Sequence, residues 1–188
     1  MAAGLRRFHT SGVLLIADPF LKDPNFLRSV VILCEHNTEG SFGFVLNRQF
    51  KNSLDELIPE LEGHKIPVFY GGPVQMDSLH FLHQYPQQIP GGQEVIRDVF
   101  WGGDFAALVE FLKKGKFDSN KIRFFVGHSG WTKNQLADEM EEKTWLTVRA
   151  NQQLIFHKDY TALWKDSLEH LGGDYKIMAN FPIDPQLN

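Results

Sequence analysis

The chain has 188 residues, 43% of them hydrophobic and 22% charged, and its 19 basic and 23 acidic side chains give a formal net charge of −4. This composition is typical of an ordinary globular protein, and at this length we expect one hydrophobic core and a single domain over residues 1–188. It excludes a largely disordered chain, and the acidic balance disfavours nucleic acid as a partner.

The sequence predicts neither a secretory signal peptide nor a membrane-spanning segment. No apolar run reaches the ~18 residues that a membrane-spanning helix needs, and residues 1–11, which we interpret as an N-terminal arm, lack the apolar stretch of a signal peptide. Cys34 is the only cysteine, so neither an internal disulfide nor a cysteine-based zinc site can form. We therefore expect a cytoplasmic protein without a membrane partner.

Six segments predict strands in the first 101 residues, because each is rich in β-branched or aromatic side chains and is bounded by turn residues. They are 12–17, 29–35, 42–46, 68–70, 79–83 and 95–101. Turn residues at 37–40 join the second and third into a β-hairpin. Ser53 and Glu56 have the spacing of a capping box, which predicts a short helix that ends at Pro59.

Helices are predicted mainly in the second half. Asp104 is placed to cap a helix that ends near Gly115, and Asp159 to cap the last helix, which ends at Gly172. Between these two helices the pattern predicts a strand at 122–126, a glycine turn at 127–131 and a helix opened by Thr132. It also predicts closing strands at 145–148 and 154–156. Residues 174–188 are predicted to be an irregular tail. Early strands and later helices indicate an α+β class with a mixed, largely antiparallel sheet and about four helices.

The glycine turn is the most informative candidate site. Gly127, Gly130 and Trp131 would precede a helix whose unpaired N–H groups could hold a phosphate or carboxylate. The same residues could equally serve only the turn, with Trp131 packed over the sheet. Ser129 also resembles the serine of a nucleophile elbow, but no partner base is identifiable, and the catalytic residues remain unknown.

Further candidates lie at strand ends and at a second glycine pair. The strand-end set consists of Arg28, Glu35, His36, Asn37, Asn47 and Arg48. The pair Gly71-Gly72 with Pro73 would allow close approach of backbone to a ligand, although a plain turn needs the same residues. His80 and His83 are three apart on a predicted strand and so fall on opposite faces, and no ligand spacing for a metal is present. No cofactor motif is identified.

Several sequence blocks resemble the YqgE/AlgH family of bacterial proteins. The blocks are GVLLIADP at 12–19, DPNFLRSVV at 23–31, CEHN at 34–37, GFVLNR at 43–48, GGPV at 71–74, GHSGW at 127–131 and DPQLN at 184–188. The resemblance implies one compact α+β domain with a barrel-like sheet in a cytosolic protein. It implies no activity, although some members are labelled transcriptional regulators. It also implies that His128 stands where relatives commonly carry an aromatic residue, and Ser129 where they often carry alanine.

Two hypotheses of function follow. The first is a domain that binds a small ligand or anion, with or without catalysis, in one pocket built from the Gly127–Trp131 turn, the Gly71–Pro73 loop, and the hairpin ends at Asn37 and Asn47. The second is a non-catalytic interaction or regulatory module, favoured by the 16 phenylalanines and four tryptophans. The ligand, any protein partner and the oligomeric state are not specified by the sequence.

Overall fold

A curled sheet organises the protein in the computed structural model, which describes residues 12–182. Its strands are β1 (Val13–Ala17), β2 (Val30–Asn37), β3 (Gly40–Val45), β4 (Gln49–Ser53), β5 (Pro67–Tyr70), β6 (Val74–His83), β7 (Gln93–Ile96), β8 (Val99–Trp101), β9 (Ile122–Thr132) and β10 (Trp145–Arg149). The α-helices in this range are α1 (Leu54–Leu57), α2 (Phe105–Lys113), α3 (Gln135–Glu141), α4 (Gln152–Ile155), α5 (Leu163–Leu171) and α6 (Asp174–Met178).

The strand order is β10-β1-β2-β3-β9-β6-β8-β7, with β4 paired to β5 and β5 paired to β9. The β5–β9 pair is parallel and the other pairs are antiparallel. A Cβ built on Gly12, just before β1, would lie 2.6 Å from the side chain of Ile96 in the edge strand β7. The two ends of the sheet therefore approach each other as a half-barrel, which confirms the predicted α+β domain with a mixed, largely antiparallel sheet.

Three apolar clusters hold the layers together. The first fills the concave side of the sheet under α5 and includes Leu14, Phe44 and Leu163. The second lies between α2 and the β5–β9 region, and the third joins β2, β9, α3 and β10. In the first cluster Trp164 donates its indole N–H to the Ala17 carbonyl at 2.9 Å. This bond fixes the first turn of α5 against the end of β1.

The predicted caps of α1 and α2 are confirmed. The Glu56 carboxylate accepts the Ser53 backbone N–H at 2.7 Å, as expected for a capping box, and the Asp104 carboxylate accepts the N–H of Ala107 at 2.8 Å. Asp159 accepts the N–H groups of Thr161 and Ala162, so it caps the turn that leads into α5. Within residues 12–182, no helix has the length and apolar character that a bilayer span requires.

Three predicted segments are wrong. Residues 95–101 form two strands because Asp98 takes a left-handed φ of 63° and makes a hairpin. Residues 154–156 belong to the end of α4 and the residue after it, because Asn151 caps this helix by accepting the N–H of Leu154 at 2.9 Å. The predicted irregular tail begins with helix α6, while its last residues, 183–188, and the arm at 1–11 lie outside the described residues.

The predicted glycine turn and helix start at 127–132 are also wrong, because β9 continues through this segment to Thr132. Gly127 has a φ of 68°, which bends the strand, yet pairing resumes at once between His128 and Val74, and then between Gly130 and Phe42. Helix α3 begins only at Gln135. No exposed helix N-terminus therefore follows the glycines.

Candidate functional site

The predicted strand-end residues occupy opposite ends of the β2–β3 hairpin. His36 and Asn37 lie at its turn, whereas Asn47 and Arg48 follow the far end of β3. Strand β2 has eight residues. At about 3.3 Å per residue the two ends are roughly 23 Å apart. One small-molecule pocket cannot include both Asn37 and Asn47, so the structure does not assemble the composite pocket expected from the sequence.

The two glycine segments do meet, but as backbone packed on backbone. A Cβ on Gly72 would lie 2.2 Å from the His128 carbonyl oxygen, and one on Gly127 would lie 2.5 Å from the carbonyl oxygen of Gly72. Ser129 is fully buried and donates its hydroxyl to the Gly71 carbonyl at 3.0 Å. These glycines are needed for the close crossing of the β5–β6 connection over β9, and Ser129 supports the same crossing.

Trp131 is buried in the third apolar cluster, 5% exposed. Its indole N–H donates to Glu139 at 2.8 Å, and the indole of Trp145 donates to the same carboxylate oxygen at 2.7 Å. Of the two roles that the sequence left open for Trp131, the structure shows the one in which the ring packs over the sheet. Pro73 and Gly130 are exposed next to the glycine crossing.

A cavity of about 430 Å³ lies at the turn of the hairpin. It is lined by His36, Asn37, Thr38, Gly40, Ser41, Thr132, Asn134, Leu136 and Ala137. His36 Nδ1 lies 2.7 Å from the Ser41 hydroxyl, and the Asn37 side chain accepts the N–H of Glu39 in the turn. Glu35 stands opposite Phe42 next to a β-bulge. His36 and Asn37 thus have local structural partners.

Four half-buried rings, Phe42, His80, Trp101 and His128, form an aromatic–histidine cluster on the sheet. Phe42 lies 4.7 Å from both Trp101 and His128, and the two imidazoles are 5.8 Å apart, measured between ring centroids. Burial lowers the pKa of both histidines, and for His80 the neighbouring His128 lowers the pKa further. His128 is therefore a half-buried ring packed among aromatic rings, where burial favours its neutral form.

His83 packs away from this cluster, against Phe81 and Phe100, and its Nε2 lies 2.9 Å from the Gly102 carbonyl oxygen. This confirms that His80 and His83 occupy opposite faces. Among residues 12–182, no group of three or more histidine, cysteine, aspartate or glutamate side chains is arranged to hold a metal ion.

The remaining predicted residues, Asn47 and Arg48, lie in what we call the cationic cleft, a depression of about 330 Å³. It is lined by Leu27, Arg28, Asn47, Arg48, Thr161, Ala162, Trp164, Lys165 and Ala179. Three of these side chains are cations, and none of these nine lining residues is acidic. Residues from the loop before β2, the end of β3 and the first turn of α5 thus converge on one cleft.

Hydrogen bonds to the backbone build the wall of the cleft formed by the loop at 24–28. Asn47 accepts the N–H of Val30 and donates to the carbonyl of Arg28, both at 2.9 Å. Arg48 donates to the carbonyls of Pro24 at 2.7 Å and Leu27 at 3.1 Å. These bonds hold the loop in place and keep Arg28 in a left-handed conformation with a φ of 51°.

Arg28 packs its guanidinium over the Trp164 ring, 4.7 Å from the ring centroid, and donates to the Phe181 carbonyl. Its Nε atom is buried and has no hydrogen-bond partner within residues 12–182. Burial lowers the pKa of both Arg28 and Arg48, which records the cost of removing these cations from water. Sequence reasoning placed Arg28 among the strand-end residues but missed Lys165, which is far away in the chain.

The comparisons with known proteins agree on one family. The AlgH-like family model matches residues 14–176. A UPF0301 protein of Chlorobium limicola is 43% identical over 177 residues, which cover 94% of this chain and 95% of the relative. A UPF0301 protein of Cytophaga hutchinsonii is 41% identical over 180 residues, which cover 95% of this chain and 99% of that relative.

Two solved structures have the same fold. The solution structure of the AlgH protein from Pseudomonas aeruginosa superimposes with a TM-score of 0.72 at 26% identity, covering 91% of this chain and 93% of that one. A crystal structure of a Corynebacterium diphtheriae protein gives a TM-score of 0.74 at 23% identity, covering 92% of both chains. The extent of the family match and the identity to these relatives show that the chain belongs to the AlgH-like family.

Proposed function

We propose that the protein binds a small anionic ligand, carrying a phosphate or carboxylate group, in the cationic cleft. The observation that carries the proposal is the convergence of Arg28, Arg48 and Lys165 on one cleft whose nine lining residues include no carboxylate. Like charges brought together and partly removed from water repel one another unless an anion compensates them. An anionic ligand would supply that compensation.

The donors in the cleft suit an anion. Each guanidinium carries five N–H groups in a planar fork, so the two carbonyls bound by Arg48 leave further N–H groups for a ligand. The buried Nε of Arg28 still needs an acceptor within the described part of the chain. The first turn of α5 adds the Lys165 ammonium, while the N–H groups of Thr161 and Ala162 before it are already accepted by Asp159.

Binding, rather than catalysis, is what the cleft supports. Its lining within residues 12–182 contains no histidine or carboxylate that could act as a general base. The hydroxyl of Thr161 is already bound to Asp159 at 2.6 Å.

The test is a calorimetric titration of the protein with sodium phosphate and sodium acetate at low ionic strength. Lys165→Met removes one cation from the cleft without removing a hydrogen bond that supports the backbone. In the unmodified protein the Lys165 ammonium lies 4.0 Å from the exposed Glu169 carboxylate. Lys133→Met, at an exposed position outside the cleft, is the matched control. We expect saturable binding that Lys165→Met weakens and Lys133→Met leaves unchanged; equal binding by both variants would remove the proposal.

An interaction module is the second candidate, and one observation supports it. Phe20 and Phe181 are 59% and 37% exposed with ring centroids 6.0 Å apart, and the Phe181 carbonyl accepts from Arg28. Exposed aromatic pairs are common in protein interfaces. Capture of a partner from extract that Phe20→Ser abolishes, together with a flat anion titration, would favour this module over ligand binding.

A further inference from the structure

We infer that the cationic cleft selects a doubly charged phosphoryl group, as found at the end of a phosphate monoester, over singly charged anions. The inference rests on the proposed function, because it specifies the charge and chemistry of the ligand in the same cleft. It is carried by the number of cations, the shape of their donors and the size of the cleft.

The nine lining residues of the cleft carry three positive charges and no negative charge. Three carboxylates act on it from outside: Asp23 acts on Arg48, Asp159 accepts the hydroxyl of Thr161, and Glu169 lies 4.0 Å from Lys165. Both Lys165 and Glu169 are well exposed, so water screens their attraction. The Arg28 guanidinium donates to a carbonyl and packs over an indole ring, and it makes no ion pair within residues 12–182. A dianion therefore compensates more of the positive charge of the lining than a monoanion does.

The donors approach the cleft from three different elements. Arg28 comes from the loop before β2, Arg48 from the connection between β3 and β4, and Lys165 from α5. A carboxylate is planar and presents two oxygens, which one guanidinium can satisfy. A phosphoryl group presents three strongly accepting oxygens in three directions, so it can bind donors from all three elements at once.

The dimensions of the cleft limit the rest of the ligand. At about 330 Å³ it lies near the lower end of the range for small-molecule sites. Leu27, Ala179 and the Trp164 ring provide the apolar part of its lining. The cleft therefore has room for a phosphoryl group with a small organic group.

A pair of esters that differ by one charge tests the inference. At pH 8 methyl phosphate is a dianion, because the second pKa of a monoester is about 6, whereas dimethyl phosphate is a monoanion with the same phosphorus centre. We expect methyl phosphate to bind at least about tenfold more tightly in low salt. Sulfate, a tetrahedral dianion, should compete with it.

Variants make the outcomes distinguishable. Lys165→Met should weaken methyl phosphate binding by about tenfold and reduce the preference over the diester, whereas Lys133→Met should change neither. Equal affinity for the two esters would overturn the dianion inference but leave the anion-binding proposal standing. If circular dichroism shows a folded protein and neither ester nor sulfate binds, both proposals fail.

Discussion

Glu139 offers the sharpest test of how the structure is stabilised. One oxygen of its carboxylate accepts the indole N–H groups of both Trp131 and Trp145, at 2.8 and 2.7 Å, and the two rings are 5% and 2% exposed. Glu139→Ala would leave two buried donors without an acceptor. A hydrogen bond to a charged group is worth about 1.5–3 kcal/mol, so loss of both bonds would cost about 3–6 kcal/mol if no water replaced the carboxylate.

Glu139 itself is half-buried, so water can partly reach the vacated position, and we expect a loss of about 3 kcal/mol. For a domain of this size that corresponds to a fall in Tm of about 6–12 °C. Glu139→Gln keeps an acceptor oxygen and should cost roughly half as much. Urea unfolding, followed by tryptophan fluorescence and circular dichroism, measures the change in the free energy of unfolding at constant slope.

Asp138→Ala is the matched control. It removes the same charge from the neighbouring position of α3, is exposed, and makes no side-chain hydrogen bond within residues 12–182, so its effect should stay within about 0.5 kcal/mol. If Glu139→Ala were no more than about 1 kcal/mol less stable than Asp138→Ala, the shared carboxylate would not be the support that its geometry indicates.

Three further predictions concern stability and reactivity. In urea unfolding, Gly127→Ala should cost about 1–3 kcal/mol more than Gly115→Ala. The two glycines have a similar positive φ, but of the two only Gly127 lacks space for a Cβ. Equal losses of stability in the two variants would refute the steric argument. Burial lowers the folded-state pKa of His80 and His128, so the unfolded chain binds more protons than the folded protein does. The contribution of these two rings to the free energy of unfolding is therefore fully present above pH ~6.5 and is lost as the pH drops towards their folded-state pKa values. His128→Phe should therefore flatten the acid side of the stability curve, and an unchanged pH profile would show that this ring does not titrate on unfolding. Cys34 is fully buried, and that burial raises the pKa of its thiol. A thiol reagent such as Ellman's reagent should therefore label Cys34 only at the rate of unfolding. Rapid labelling of the folded protein in buffer would contradict this placement.

Local signals were sufficient for the elements that depend on local contacts. The capping residues Ser53, Glu56 and Asp104 predicted helix starts correctly, because each bond joins residues three apart. The segment at 127–131 was predicted incorrectly because its conformation depends on distant partners. A glycine with positive φ usually marks a turn, but here Gly127 bends a strand whose pairing with β3 and β6 continues.

The candidate site shows the same division. Asn47 and Arg48 were identified from their position after a predicted strand, and they do lie in the cationic cleft. Lys165 was not identified, because a single lysine in the first turn of an amphipathic helix carries no signal until the fold brings it to the same cleft as Arg28. The predicted clustering of Asn37 with Asn47 failed because it ignored the length of the predicted hairpin, which already placed Asn37 at the turn and Asn47 beyond the far end of its second strand.

The pairing of β1 with both β2 and β10 has a consequence for how the chain acquires its structure during synthesis. Strand β1 meets β2 soon after both are made, but its other edge waits for β10, which joins it in register from Val13 with Arg149 to Ala17 with Trp145. At ribosomal rates of about 5–20 residues per second, that edge stays open on the order of ten seconds. An apolar strand edge left unpaired for that time can pair with another nascent chain, so the amino-terminal strands are where chaperone dependence and aggregation should concentrate during production of this protein.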